Sequence, residues 1–326
     1  MRRREFITLI GGAAAWPIAA SAQQPAMPVI GILSAFSAAT AEKRMAAFRE
    51  GLGESGYVES RNVLIVYLQA DGEYDSLPTL AADLVRRHVS VIVSPQSSVA
   101  AIAARDATTV IPIIFSVPVD PVMLGLVSSL SRPAGNVTGV YSLGSGLAAK
   151  RLGLLRELLP HSKVVAVLFN PATPANNTAL PELQAAASAI GQQLRVVNAI
   201  TSREIDMAFE ALAAERPDAL LVVNDLLFSS LHIQIVVLAA RHAIPVIYTS
   251  REYVDAGGLM SYGTSFSEVY RQIGIYTGRA LKGVKPADMP VVMSTKFEFV
   301  LNLQTARTLG IDVPPALFSI ADEVIE

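Results

Sequence analysis

Val89-Ser-Val-Ile-Val-Ser-Pro-Gln-Ser-Ser-Val-Ala-Ala-Ile-Ala-Ala-Arg-Asp-Ala107, followed after three residues by Ile111-Pro-Ile-Ile-Phe-Ser116, decides the fold. Val89 to Ser94 and Ile111 to Ser116 are short β-branched apolar runs, the signature of strands buried on both faces. Val99 to Ala107 between them has helical composition and no breaker. Strand, helix and strand in that order build a parallel sheet covered by helices.

The same alternation extends in both directions. Upstream, the pattern predicts strands at Val29 to Ser34 and Asn62 to Gln69, with helices at Thr40 to Gly53 and Ser76 to His88; downstream, it predicts a helix near Val122 to Leu130. A turn-rich Arg132-Pro-Ala-Gly-Asn136 and the run Val137 to Tyr141 then lead into Ser142-Leu-Gly-Ser-Gly146, read as a crossing into a second lobe. There the alternation resumes, with helices at Leu147 to Leu159, Leu180 to Gly191, Ser202 to Ala214 and Ser229 to His242. Its strands are Lys163 to Phe169, Leu194 to Ala199, Ala219 to Val223 and Pro245 to Tyr248. Leu259 to Tyr262 reads as a return crossing, followed by a long helix from Ser265 to Leu281, an extended Val291 to Leu301 and a last helix at Leu303 to Leu309.

The expected architecture is α/β, two doubly wound parallel-sheet lobes with a ligand cleft between them. Residues 29–142 and 263–290 form lobe 1, and 143–262 and 291–326 form lobe 2. Open sheets of this kind bind ligands beyond the carboxyl ends of their strands.

The N-terminus carries a different message. Arg3-Arg-Glu-Phe-Ile7 has the spelling of a twin-arginine export signal, and an apolar stretch to Ala20 precedes the small-x-small site Ala20-Ser-Ala22. About 15 apolar residues broken by Gly11, Gly12 and Pro17 fall short of the ~20 a spanning helix needs. Residues 1–22 are therefore expected to be a cleaved signal peptide, 23–28 a short lead-in segment, and the mature chain from Gln23 periplasmic. Their removal leaves 23 basic against 27 acidic residues, a charge of about −4. Such a balance offers no basic face to nucleic acid. The chain has no cysteine, which removes disulfides, thiol catalysis and lipid attachment through cysteine. The four histidines show no metal-ligand spacing, and no cofactor is expected.

Several segments in the right order resemble the substrate-binding proteins of ABC transporters with the type I periplasmic fold, in the branch related to binders of tryptophan and other aromatic amino acids. They are Gly51-Leu-Gly-Glu-Ser-Gly-Tyr-Val-Glu59, Ile113-Ile-Phe-Ser-Val-Pro-Val-Asp-Pro121, Arg132-Pro-Ala-Gly-Asn-Val-Thr-Gly139, Ala256-Gly-Gly-Leu-Met-Ser-Tyr-Gly263 and Gly283-Val-Lys-Pro-Ala-Asp-Met-Pro290. The likeness spans essentially the whole mature chain. It implies a non-enzymatic receptor, monomeric, that closes on a small molecule and hands it to a permease at the inner membrane.

Under this resemblance the loops at the strand ends supply the ligand contacts. Ser97 and Ser98 open a helix whose free N–H groups suit a carboxylate, and they equally suit ordinary N-capping. Ser34 offers a hydroxyl, Phe36 an apolar wall and Ser116 a second hydroxyl. Asp120, before Pro121, reads at least as well as a cap, since Pro118 and Val119 depart from the family's usual Thr-Asp-Pro or Gly-Asp-Pro.

From the second lobe, Asn224-Asp225 follows an apolar strand. Relatives place an acidic residue here, so Asp225 is the candidate for holding an amine, with a helix cap of comparable weight. Asn170 offers an amide. Thr249 and Arg251 end another strand, where Arg251 either grips an anion or pairs with Glu252 or Asp255. Tyr141 and Tyr262, at the crossings, offer rings for stacking or pack the hinge.

Other motifs fail in context. Gly51-Leu-Gly-Glu-Ser-Gly56 spells a dinucleotide fingerprint but follows a helix, so it reads as a helix end and turn. Gly263-Thr-Ser-Phe-Ser267 lacks the closing glycine of a nucleophile elbow. The functional expectation is a periplasmic receptor for an amino acid or related zwitterion or carboxylate. The alternative is a sensing module for a membrane histidine kinase or chemoreceptor, which uses the same clamp. An exported enzyme lacks any nucleophile–base pair, and a DNA-binding repressor of the related fold is not expected, because no DNA-reading helices precede Val29.

Overall fold

The computed structural model describes residues 27–35, 38–142 and 147–326; the proposed signal segment, Phe36 and the crossing at 143–146 lie outside the described residues. The first run of elements is β1 (Val29–Ser34), α1 (Ala38–Glu54), β2 (Leu64–Gln69), α2 (Leu77–Arg86), β3 (Val91–Ser94), α3 (Ser98–Ala107), β4 (Ile113–Val117) and β5 (Val137–Tyr141). The second comprises α4 (Leu147–Leu158), β6 (Val164–Phe169), α5 (Pro174–Ala189), β7 (Gln193–Asn198), α6 (Ser202–Glu215) and β8 (Ala219–Val222). It continues through α7 (Leu226–Ser230), α8 (His232–Arg241), β9 (Val246–Tyr248), α9 (Arg251–Asp255) and β10 (Met260–Thr264). The chain ends with α10 (Phe266–Leu281), β11 (Val292–Met293), β12 (Phe297–Asn302), α11 (Leu303–Thr308), α12 (Pro315–Ile320) and β13 (Glu323–Ile325).

Two sheets result. The first, in the order β11-β5-β4-β3-β1-β2, is parallel throughout. The second, β13-β12-β10-β9-β8-β6-β7, is parallel except where β12 runs against β10. All four residues of β3, all five of β4 and all four of β8 are buried, as expected of strands covered on both faces. One core cluster fills the second lobe, and two cover opposite faces of the first sheet.

Helix α10 returns the chain to the first sheet by packing on α1. A Cβ at Gly51 would lie 1.9 Å from the Arg271 carbonyl oxygen, and one at Gly274 would lie 2.2 Å from that of Phe48. Gly51 and Gly53 thus fall in the last turn of α1 and Gly56, at φ +86°, makes the turn beyond it, so 51–56 is the helix end and turn expected from the sequence; Gly51 also allows the helices to touch.

Several expected elements differ. The segment 122–130 is a chain of turns: Asp120 Oδ1 accepts the Val122 N–H at 2.8 Å, and Gly125 is left-handed. The Ser128 and Ser129 hydroxyls donate to the Arg132 and Pro133 carbonyls, so the sequence there bonds locally and not along a helix. The helix expected from Ser229 to His242 divides into α7 and α8 at Leu231. Leu259 to Tyr262 is not a crossing; 260–264 is the strand β10 of the second sheet, and the chain passes back at Ser265. The stretch 291–301 is two strands in two sheets. The Val291 N–H donates to Leu130 O and the Ser294 N–H to Tyr141 O, each at 2.7 Å, so 291–293 pairs with the first sheet and the chain changes sheets after it.

Candidate ligand-binding cleft

The carboxyl ends of both sheets face a common space. At the end of β3, Gln96 adopts φ 55°, and its N–H donates to Ser116 Oγ at 2.8 Å, tying the β3 loop to β4. A non-glycine residue in the left-handed region is held there by its surroundings, a pattern concentrated at binding sites. Ser97 then caps α3, its Oγ accepting the Ala100 N–H at 3.1 Å.

Two cavities adjoin these loops. The larger, about 500 Å³, has Ser97, Ser98 and Val99 on its first-sheet side and Phe169, Leu183 and Asp225 on the other. Its size suits a small organic ligand, and its walls are largely apolar. The smaller, about 90 Å³, reaches Arg44, Ser116, Tyr141 and Thr249. Gln96, Pro118, Arg151, Asn224 and Leu226 line both.

The expected site residues separate into groups. Ser97, Ser98, Asn224 and Asp225 line the larger cavity; Ser116, Tyr141, Asn224 and Thr249 line the smaller one. Asn170 stands behind Asp225 and lines neither. Ser34 is buried at the end of β1, away from both linings. Tyr262 packs on Phe297, with ring centroids 6.0 Å apart, and lines neither cavity.

Asp225 is occupied by the protein itself. Oδ1 accepts the Leu227 and Phe228 N–H groups at 2.9 and 3.4 Å, capping α7, and Asn170 Nδ2 at 3.1 Å. Oδ2 accepts Thr173 Oγ1 at 2.6 Å and Asn176 Nδ2 at 3.4 Å. Five donors fill roughly four lone-pair sites of a carboxylate that is 4% exposed. The cap reading therefore describes its geometry, and an ammonium would have to displace a bonded donor.

Arg251 has likewise been neutralised, outside both cavities. It meets Glu323 at 3.0 Å, Glu298 at 3.1 Å and Asp255 at 3.5 Å. Burial opposes its charge, but these carboxylates outweigh it and raise the guanidinium pKa above the usual range.

Three cavity residues escape the sequence reading. Gln96 carries no motif. Arg44, on α1, donates from Nε to Glu252 Oε1 of α9 at 2.7 Å and also bonds Gln96 Oε1, with its guanidinium 4.3 Å from the Phe266 ring centroid. This ion pair joins a helix of the first lobe to one of the second. The third, Arg151, projects from α4 and is 4% exposed. Its Nε donates to the Tyr262 carbonyl at 2.6 Å, and its Nη groups have no hydrogen-bond or ion-pair partner among the described residues. Burial pushes its pKa down to about 10, and no carboxylate restores it. A Cβ at Gly263 would lie 1.8 Å from the Thr249 carbonyl oxygen and 3.8 Å from Arg151 Nη2, so the glycine lets β10 close against Thr249 beside this guanidinium.

The sequence did hold a signal for Arg151. Leu147, Arg151, Leu154, Leu155 and Leu158 follow one helical stripe, and all are buried. A charge in the core position of an apolar stripe marks a buried ion.

The chain is similar to several known proteins. A tyrosine-binding protein of Clostridioides difficile (strain R20291) is 27% identical over 280 residues, covering 86% of this chain and 80% of that protein. A crystal structure of an ABC domain in complex with L-Trp from Streptococcus pneumonia superposes with TM-score 0.78 at 26% identity, covering 91% of this chain and 99% of the other. A conserved domain protein from Vibrio cholerae gives TM-score 0.77 at 28% identity, with the same coverage. The fold is the type I periplasmic binding fold. The family matched is one of solute-binding proteins and not of enzymes, and the first two relatives are named for tyrosine binding and for a complex with L-Trp. The family model for ABC transporter substrate binding proteins matches residues 29–325, and the chain belongs to that family.

Proposed function

We propose that the protein is a periplasmic receptor that captures an amino acid or related carboxylate between its two lobes and delivers it, as a monomer, to an ABC permease. One observation carries the reading: the larger cavity is walled by both sheets, with α3 and its cap on one side and Arg151, Asn224 and Leu226 on the other. A ligand held there touches both lobes, and only such a ligand favours the closed arrangement over the open one. The tyrosine-binding relative and the L-Trp complex support an amino acid with a sizeable apolar side chain. No helix among the described residues is long and apolar enough to cross a membrane; export with cleavage after Ala22 rests on the twin-arginine spelling and the small-x-small site of the sequence.

The test is thermal unfolding of the 23–326 protein against amino acids, aromatic and aliphatic acids, ureas and small peptides, with small-angle scattering on any hit. A ligand at ~100 times its dissociation constant adds about 2.7 kcal/mol. Stabilisation accompanied by a smaller radius of gyration is expected. A bound ligand with no compaction contradicts closure, and silence across the panel contradicts the proposed ligand class.

A further inference from the structure

We infer that Arg151 is the seat of the ligand's carboxylate and that the cleft takes organic acids with an apolar body whether or not they bear an α-amine. The inference rests on the receptor reading above and assigns the chemistry of that same site. Two observations converge on it. Arg151 is 4% exposed, lines both cavities and has no acid partner among the described residues. A buried guanidinium with free N–H donors is a bidentate fork for a planar carboxylate, and the desolvated setting strengthens the pair. Across the larger cavity stands the first turn of the ten-residue α3, whose unpaired N–H groups and positive dipole end also favour an anion.

The other end of a zwitterion finds no comparable partner. Asp225 and Glu182 are the carboxylates lining the larger cavity. The first is filled by five donors, and the second is exposed on α5, where water screens it. The walls between, formed by Val99, Phe169, Leu180, Leu183, Val223 and Leu226, offer contact to a hydrocarbon or aromatic body. Recognition is thus one-sided: the acid is read, and the amine is tolerated at the wet rim.

Titration calorimetry with matched trios tests this on the 23–326 protein. L-phenylalanine, 3-phenylpropanoate and 2-phenylethylamine form one set; L-norleucine, hexanoate and pentylamine form the other. In at least one set the acid should bind within about tenfold of its amino acid while the amine shows no binding. Arg151→Met should weaken acid binding by about 100-fold, and Arg151→Lys, which keeps charge but loses the fork, should fall between. Unfolding midpoints of the ligand-free variants report whether they fold.

Amine binding as tight as acid binding overturns the inference, as does a folded Arg151→Met that retains acid affinity. Binding of the amino acids alone, with both acids silent, overturns the dispensable amine. If none of the six probes binds, the carboxylate assignment falls, while the wider panel separately decides the receptor reading.

Discussion

Arg251 and Arg151 are two arginines at opposite ends of the same question. Arg251 follows a strand end, where a binding residue is expected, and is surrounded by Asp255, Glu298 and Glu323 outside both cavities. Arg151 lies in the middle of a helix, where a core residue is expected, and faces the cleft with no acid partner among the described residues. A charge that the protein has already neutralised is committed to its own structure. A charge buried without an acid is costly, and an anion brought from outside would offset that cost. Asp225 sits with Arg251 on the committed side, although it borders the cavity.

This contrast is open to attack at four points. The largest effect is expected at Asp225. Asp225→Ala removes the α7 cap and leaves the Asn170 amide and the Thr173 hydroxyl without their acceptor, a loss of about 3 kcal/mol in denaturant unfolding. A variant of undiminished stability that lost only amine selectivity would move Asp225 to the ligand-reading side.

Next comes the interlobe pair. Glu252→Gln should cost about 2 kcal/mol of lobe-to-lobe contact, seen as a larger radius of gyration, because Arg44 would keep its charge without a carboxylate. The same contact has a pH dependence of known sign. Burial pushes the Glu252 carboxyl up, but Arg44 outweighs it and holds the pKa below the usual glutamate range. A carboxylate with a depressed folded pKa contributes stability above its unfolded pKa and loses it as pH falls through the folded one. The lobes should therefore separate more readily only in acid below that range, which scattering across pH would read.

Third, Arg151→Met should stabilise the ligand-free protein. A guanidinium depressed to about 10 in a buried site carries a penalty of roughly 3 kcal/mol on the folded state. The penalty is present at all pH values below about 10 and fades as pH rises from there toward the unfolded value. Losing the bond to Tyr262 O returns about 1 kcal/mol, for a net gain of about 2 kcal/mol. The smallest effect is Arg251→Ala, at or below about 1 kcal/mol with ligand affinity unchanged, since its partners are partly exposed.

The sequence made the alternation of β3, α3 and β4 legible because buried parallel strands must be continuous apolar runs and α3 begins on a serine cap. It was less informative where pairing depends on distant partners. Val292–Met293 and Phe297–Asn302 look like one extended segment, yet the first pairs with β5 and the second with β10. The strand-end loops around Ser97, Ser116, Asn224 and Thr249 were legible as cleft residues, because open sheets place their strand ends there. Which charges remain unpaired was not legible, because that depends on residues far apart in sequence: Arg251 meets Glu323, 72 positions away, and Arg44 meets Glu252, 208 away.

The most direct measurement takes wild type and Arg151→Met side by side and records two quantities, the unfolding free energy without ligand and the affinity for 3-phenylpropanoate. Opposite signs are expected: the variant is the more stable protein and the weaker binder by about 100-fold. A variant that is less stable and binds as tightly as wild type would show that Arg151 serves the fold and that the ligand's charge is read elsewhere.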